Sequence, residues 1–306
     1  MKKFLGLTKR DLLVFFKDRQ SIIFSVLTSI IVLALYVVFL KGTFTDAIES
    51  YLKEVPFLKT LVTDSDINCF SDLIMLSGVL GSALITVPFQ CVSLVVRDRE
   101  TGVDYDISAT PAKRYQIVLA YFVSATVSSV IMTSAILTLG LIVLKIHSGL
   151  ELSTGFLLSA YGIVALGAVS ATAFFMMFVL FFRTSQACGA FFGMLSAAAG
   201  FVIGAYIPVS QFSESVRSVC FLFPASHVTS LLRNVLLADH LNKIDAGIGG
   251  LDGGEFTTAL KDIFTFKAFL FGNELDFKGM IVYVLAGVAV CTVVMIMLFS
   301  KTYRRK

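Results

Sequence analysis

The chain has 306 residues, of which 57% are hydrophobic and only 15% are charged, and its mean hydropathy is +0.86. Soluble domains carry roughly 25% charged residues, so this composition excludes an ordinary soluble protein. The formal net charge is +4, but the basic residues form no long run with interleaved aromatic residues, which argues against a nucleic-acid partner.

Residues 1–20 show an amphipathic helical pattern. On a helical wheel, five large apolar side chains fall within a sector about 120° wide, and Lys3, Lys9, Arg10 and Lys17 lie elsewhere. The five are Phe4, Leu5, Leu12, Phe15 and Phe16. The pattern predicts a helix that lies in the membrane interface, with a frayed basic tail as the alternative.

Six apolar runs are long enough to cross a hydrocarbon core of about 30 Å. They occupy residues 21–40, 73–96, 117–144, 153–182, 188–208 and 279–299. We therefore predict an all-α polytopic membrane protein with six transmembrane helices, which form a single transmembrane domain over residues 1–306. The first run is longer than the apolar part of a signal peptide and lacks a small-residue cleavage site, so we expect it to be retained.

The distribution of Lys and Arg predicts the orientation of these helices. Segments 1–20, 97–116, 183–187 and 300–306 hold 15 of these residues in 52 positions. The segments on the opposite side hold 10 in 110 positions. We therefore expect both termini to be cytoplasmic, and the chain to be a multi-pass protein of the plasma membrane.

A polar stretch, RDRETGVDYDISATPAKR at residues 97–114, separates the second and third apolar runs and holds eight charged residues. We predict a short helix over residues 98–108, with Thr110 as the N-cap and Pro111 as the first residue of the third transmembrane helix. The alternative is that these charges belong to a solvated loop without a specific role.

The segment 209–238 is half apolar, yet Pro224 interrupts it and neither part is long enough to cross the membrane. The pattern predicts a re-entrant hairpin of two short helices, the second capped by Ser226 over residues 227–237. A glycine-rich outer loop at 239–278 follows, with a short amphipathic piece near 256–271. Cys69 and Cys220 both fall on the predicted outer side, where a disulfide remains open.

The absence of certain residue types and motifs from the sequence restricts the possible transport mechanisms. No apolar run has an ionisable side chain in its interior, which argues against an ion-coupled secondary transporter, although broken helices can bind Na⁺ through backbone carbonyls. The chain has no G-x-x-x-x-G-K-[ST] phosphate loop, so it cannot bind ATP in that way. We expect no metal site, because the cysteines and histidines show no ligand spacing.

The order of residues in the polar stretch resembles the cytoplasmic loop of ATP-binding-cassette type-2 permeases, whose pattern is E-x-G-T-x-x-x-hydrophobic-x-x-[ST]-P. Val103 stands where the pattern has threonine. The positions that match are Glu100, Gly102, Ile107, Thr110 and Pro111. The segment before the last run resembles the family's second motif, with Gly204, Pro208, Pro224 and Arg233 in the corresponding places.

The resemblance implies the membrane subunit of an ATP-driven exporter, which is not itself an enzyme. ATP and magnesium would be bound by a separate ATPase subunit, present in two copies, and the permease would be a homodimer or pair with a similar permease. The expected contacts with the ATPase come from the polar stretch. They are Arg97, Glu100, Gly102, Asp104, Asp106 and Ile107.

The phenylalanine-rich apolar runs favour a hydrophobic or amphipathic cargo, such as a drug, antibiotic, peptide or lipid-like toxin. Lipid-facing phenylalanine gives the same composition, so a lipid-linked polysaccharide or teichoic acid remains an alternative cargo. A secondary transporter and a non-transporting membrane scaffold remain as alternatives from other classes.

Overall fold

A computed structural model describes residues 2–54, 61–148, 152–249 and 251–302. Within these residues the chain is a succession of α-helices with one β-hairpin. The first half contains α1 (Lys2–Lys17), α2 (Arg19–Leu35), a π-helical turn (Tyr36–Leu40), α3 (Lys41–Glu54), α4 (Asp64–Val92), α5 (Leu94–Glu100), α6 (Val103–Ala109) and α7 (Arg114–Ser148). The second half contains α8 (Thr154–Val179), α9 (Ser185–Val202), a 3₁₀ turn (Val209–Gln211), α10 (Glu214–Leu222), α11 (Pro224–Leu236), α12 (Ala238–Ile248), α13 (Glu255–Ile263), β1 (Ala268–Leu270), β2 (Asn273–Leu275) and α14 (Phe277–Thr302).

Six helical stretches in the described part of the chain are long and apolar enough to cross a membrane, which confirms the predicted all-α polytopic fold. They are Arg19–Phe39, Asp64–Glu100, Arg114–Ile146, Thr154–Val179, Ser185–Val202 and Phe277–Ser300. We call the end of the bundle that carries residues 97–114 the inner end, because the charge pattern predicts that it is cytoplasmic, and the opposite end the outer end.

Helix α4 is the centre of the bundle. In its apolar stretch 89% of the residues are buried, against 28% or fewer in α2, α9 and α14. It packs against α2, α7, α8, α9 and α11. Glycine allows the closest of these approaches, since a Cβ on Gly81 would collide with the Thr229 hydroxyl of α11. The helices around α4 therefore present much of their apolar surface to the outside of the chain.

Helix α1 uses two faces. Thr8, Asp11 and Phe15 are buried along one side, where α1 packs on α7, whereas Leu5 and Phe16 are exposed. The exposed apolar side chains fit the predicted place in the membrane interface, which remains a prediction. The helix ends at Asp18, whose carboxylate accepts hydrogen bonds from the N–H groups of Gln20 and Ser21 and so caps α2.

Two predicted boundaries differ from the structure at the outer end. The first membrane helix was predicted to end at residue 40, but the chain remains helical through the π-helical turn and α3 to Glu54. The fifth helix ends at Val202 instead of residue 208, because Gly204 has φ +69° and turns the chain. The N–H groups of Ala205 and Tyr206 then donate to the Gly200 carbonyl, which closes the helix with a left-handed cap.

Helices α10 and α11 form a pair that bends by 94° at Phe223. The pair is either a broken span or a re-entrant loop by its length and composition, so the re-entrant hairpin stays a prediction. The predicted N-cap is wrong: α11 begins at Pro224, and the Ser226 hydroxyl donates to the Val202 carbonyl. Proline opens the helix because its fixed φ suits the first turn, which needs no N–H donor.

Candidate functional site

Four consecutive residues at the inner end, Arg97 to Glu100, contact three different parts of the bundle. The stretch belongs to α5, which continues the direction of α4 after a break at Ser93. Arg97 donates to Asp18, the cap between α1 and α2, at 2.5 Å. We call these four residues the inner junction.

Asp98 is the buried member of the inner junction, with 3% of its surface exposed. Both terminal nitrogens of Arg10 in α1 donate to its carboxylate, the second at 2.9 Å. The Tyr121 hydroxyl of α7 donates to it at 2.6 Å. One carboxylate therefore joins α1, α5 and α7 through three charge-assisted hydrogen bonds, which are stronger than neutral ones.

Asp11 lies next to this cluster and accepts a hydrogen bond from Arg10 at 2.9 Å. Its side chain is almost fully buried. Burial raises the pKa of Asp11 to about 6, against the pull of Arg10 in the other direction. The hydrogen bond to Asp98 raises the pKa of Arg10. The guanidinium therefore stays charged between two carboxylates, one of which titrates near neutral pH.

Arg99 and Glu100 contact the turn between α8 and α9. The Arg99 guanidinium donates to the carbonyls of Leu180 and Phe182, at 3.1 and 2.6 Å. The Glu100 carboxylate accepts from the backbone N–H of Ser185 at 3.0 Å. Ser185 is the first residue of α9, where the partial positive charge of the helix favours an anion.

The polar stretch is not one helix. Gly102 has φ +80°, so it separates α5 from α6 in a conformation that other residues rarely adopt. In α6, Ile107 is buried, whereas Asp106 is exposed and Tyr105 has 77% of its surface exposed. Burial raises the pKa of Asp104, whose Oδ1 has no hydrogen-bond partner among the described residues. Tyr105 and Asp106 therefore form the free face of α6.

The predicted start of the third membrane helix is wrong. Thr110 ends α6, where its N–H and its hydroxyl both donate to the Ile107 carbonyl. Pro111 follows in the connection, and α7 begins only at Arg114. The Gln116 side chain accepts from the Lys113 N–H at 3.0 Å, which supplies the capping contact that we had assigned to threonine.

Arg233 holds the outer end together. Its side chain is buried and donates to Ser77 of α4 at 3.3 Å and to the Phe264 carbonyl after α13 at 2.6 Å. It also donates to the carbonyls of Ile203 and Gly204 at 3.1 and 3.0 Å.

The other residues of the predicted outer motif lie around the same region. Gly204 turns the chain after α9, Pro208 begins the 3₁₀ turn, and Pro224 opens α11. The structure thus brings Gly204 and Arg233 into direct contact, and the two prolines set the ends of neighbouring helices. All five cysteines are free and buried, so Cys69 and Cys220 form no disulfide.

A cavity of about 300 Å³ opens beside the inner junction, between the inner ends of α2 and α9. Its floor is formed by Phe89 and Gln90 of α4, and Phe24 and Phe192 line it from either side. Arg97 and Ser185 add polar groups at its inner rim. The volume lies at the lower end of the range for small-molecule pockets, and the lining combines aromatic and polar groups.

These features define a class: a polytopic helical membrane protein with a charged junction at one end and a bent helix pair at the other. The model of the ABC-2 type transporter family matches residues 2–237. The chain therefore belongs to the ABC-2 type transporter family, as its motifs predicted. No curated protein matches the chain. The family implies the membrane component of an ABC exporter, which is partnered by an ABC ATPase subunit.

Sequence reasoning placed Arg97 and Glu100 on the polar stretch but missed the partners that they bind within the chain. It also missed Asp98, Arg10 and Tyr121 as a cluster. One signal was available for Asp98. It continues the buried side of α4 and α5 past Cys91 and Val95 at helical spacing, so its carboxylate faces the bundle.

Proposed function

We propose that the chain is the permease of an ATP-driven exporter, in which two copies of the chain and two ATPase subunits form the working complex. The observation that carries the proposal is the inner junction. It links the exposed helix α6 to the first, third, fourth and fifth membrane helices through four adjacent residues. A force applied to α6 at the membrane surface is therefore distributed over most of the bundle.

The free face of α6 is the proposed contact with the ATPase. Tyr105 presents a large aromatic side chain to solvent, and aromatic residues are enriched among the residues that dominate binding energy at interfaces. Asp106 supplies negative charge on this face for basic groups of the partner, and the half-buried Asp104 lies beside it. Arg97 and Glu100 are engaged within the chain, so we assign them to transmission of movement instead of ATPase binding.

We propose an amphipathic cargo that enters the cavity between α2 and α9. Phe24, Phe89 and Phe192 would contact its apolar part, and the rim near Arg97 would contact its polar part. The two helices that flank the cavity, α2 and α9, bury only 28% and 22% of their apolar stretches against the rest of the chain. A compound dissolved in the inner leaflet could therefore enter the cavity directly from the lipid.

The test is co-purification of the chain with a candidate ABC ATPase subunit, followed by reconstitution of the complex in proteoliposomes. We expect native mass measurement to show two copies of each subunit, and a fluorescent amphipathic dye to be exported only with ATP. Tyr105→Ala should weaken assembly by about tenfold or more, as truncation of an interface anchor commonly does. Phe271→Ala is the control, because Phe271 is equally exposed but lies at the outer end.

Other results would identify the alternatives. Transport by the permease without an ATPase would indicate a secondary transporter. A stable complex that hydrolyses ATP but exports only lipid-linked polysaccharide or teichoic acid would retain the exporter and replace the cargo. A complex that transports neither class of compound would support the alternative that the chain is a non-transporting membrane scaffold.

A further inference from the structure

The carboxylate of Asp98 differs in its surroundings from the other acidic groups of the polar stretch. Glu100, Asp104 and Asp106 remain at least partly open to solvent, whereas Asp98 is withdrawn from it. Three hydrogen bonds occupy it, two from Arg10 and one from Tyr121. The residues that bind it come from two other helices: Arg10 of α1 lies 88 residues from Asp98 along the chain, and Tyr121 of α7 lies 23 residues from it.

This arrangement resists small displacements. A planar guanidinium that binds a carboxylate through two parallel hydrogen bonds fixes orientation as well as distance. Sliding α5 against α1 would break both bonds and leave the Asp98 carboxylate without its cation in a buried site, where the penalty for an unpaired charge is large. The contacts of Arg97 and Glu100 are more exposed, so water can replace them during movement.

Helix α1 is joined directly to the first membrane helix, α2, at Asp18. Asp18 ends α1, caps α2 and binds Arg97. A displacement of α5 that carries α1 with it therefore also reaches the start of α2. On the other side, Tyr121 lies in the first two turns of α7, so the same displacement reaches the third membrane helix.

We propose that Asp98 is a positioning residue that holds α1, α5 and α7 as one rigid unit, so that movement of α6 reaches the first and third membrane helices together. The inference rests on the proposed function, because it takes the ATPase contact on α6 as given. Asp98 itself contacts neither ATP nor cargo. The interfacial helix α1 becomes a moving part of the transport cycle and not only an anchor.

The experiment compares Asp98→Asn with the parent complex in proteoliposomes that contain a fluorescent amphipathic dye. Asparagine keeps the shape of the side chain and removes its charge. We expect basal ATP hydrolysis and assembly to stay within about twofold of the parent, while dye exported per ATP falls by one to two orders of magnitude, roughly the effect of breaking a buried charge pair. Asp262→Asn, at an exposed position of α13, is the matched control and should change neither quantity.

A distance measurement separates a mechanical role from a merely structural one. Spin labels at Lys9→Cys in α1 and Tyr115→Cys in α7 would react selectively, because both positions are exposed and the five native cysteines are buried. In the parent complex we expect this distance to stay the same when a non-hydrolysable ATP analogue binds. In Asp98→Asn we expect the distribution of inter-label distances to broaden and its mean to change when the nucleotide binds.

If Asp98→Asn fails to assemble, the variants Tyr121→Phe and Arg10→Gln test the same hydrogen bonds from the side of the donors. Tyr121→Phe removes one hydrogen bond and should lower export per ATP by about threefold, and Arg10→Gln should lower it further. Normal export per ATP in all assembled variants would overturn the proposal, as would a nucleotide-dependent distance in the parent. Failure of the parent to export with ATP is a different result, because it contradicts the proposed function itself.

Discussion

Replacement of Arg233 tests how the outer end of the bundle is held. Arg233→Met removes the guanidinium and keeps an unbranched side chain of similar reach. It leaves Ser77 and three backbone carbonyls without their donor, and these acceptors come from α4, the end of α9 and the end of α13. The four hydrogen-bond partners of Arg233 among the described residues are uncharged groups, so the protein buries this cation with no carboxylate among those partners.

Two opposing contributions set the size of the effect. Each buried acceptor left unpaired costs about 1–3 kcal/mol, so the four acceptors together cost at least about 4 kcal/mol. Removal of the buried charge offsets part of this loss of stability, because the desolvation of a guanidinium is unfavourable by several kcal/mol. We expect Arg233→Met to lower the free energy of unfolding by about 2–4 kcal/mol after this compensation.

Arg233→Lys gives the decisive comparison. Lysine keeps the buried charge but has one nitrogen, which cannot reach acceptors on three elements at once. It therefore retains the desolvation penalty and loses most of the hydrogen bonds. We expect Lys to be at least as destabilising as Met, which is the reverse of the order expected if only the positive charge mattered.

Thermal unfolding in mild detergent, followed with a thiol-reactive dye, measures both variants. The chain has no tryptophan, but its five buried cysteines become reactive when it unfolds. Arg217→Met is the control, because Arg217 lies on the neighbouring helix α10 and stacks on the Phe269 ring at 4.1 Å. A lysine variant as stable as the parent, or a methionine variant no less stable than Arg217→Met, would refute the reasoning.

Three further predictions concern the inner junction and the topology. Glu100→Lys places a cation at the first residue of α9 and should reduce export per ATP by at least about tenfold with ATP hydrolysis retained, whereas Asp262→Lys at the outer end should leave export unchanged. Burial raises the pKa of Asp11 to about 6, so between about pH 4 and pH 6 the folded protein holds a proton that the unfolded chain releases. The free energy of unfolding should therefore fall as the pH rises through this range. Asp11→Asn should abolish that slope and raise the unfolding temperature at pH 7; an unchanged slope would mean that Asp11 is solvated. Single cysteines at Ser215 and Asn242, both exposed, should react with an impermeant reagent added from outside, and reaction of only one of them would identify α10 and α11 as a seventh span.

The number of membrane helices was predictable because it depends on local composition. Each span needs about 20 apolar residues, and no distant contact changes that requirement. Helix ends were less predictable. Thr110 and Pro111 favour a helix start when considered alone, yet the Gln116 side chain caps Lys113 instead and Thr110 closes the preceding helix. A local preference of about 1 kcal/mol is easily outweighed by the burial of Ile107 in α6, since burying a large aliphatic side chain contributes about 1.5–3 kcal/mol.

The pairing of charges was not predictable from local pattern. Arg10 and Asp98 are 88 residues apart, and Arg99 reaches carbonyls more than 80 residues away. Hydropathy treats Asp98 and its neighbours as one polar segment, since it counts charges without regard to the direction of each side chain. The helical spacing that connects Asp98 to the buried side of α4 indicates burial, but only the folded bundle reveals that Arg10 and Tyr121 stand opposite it.

The central place of α4 has a consequence for how this protein diversifies. A substitution on α4 must be accommodated by five neighbouring helices at once, whereas one on the outward faces of α2 or α9 meets mostly lipid. The floor of the cavity at Phe89 is fully buried, whereas its side at Phe24 has 41% of its surface exposed. Under the proposed function, we expect substitutions at Phe24 and Phe192 to change the exported compound with less loss of stability than substitutions at the fully buried Phe89.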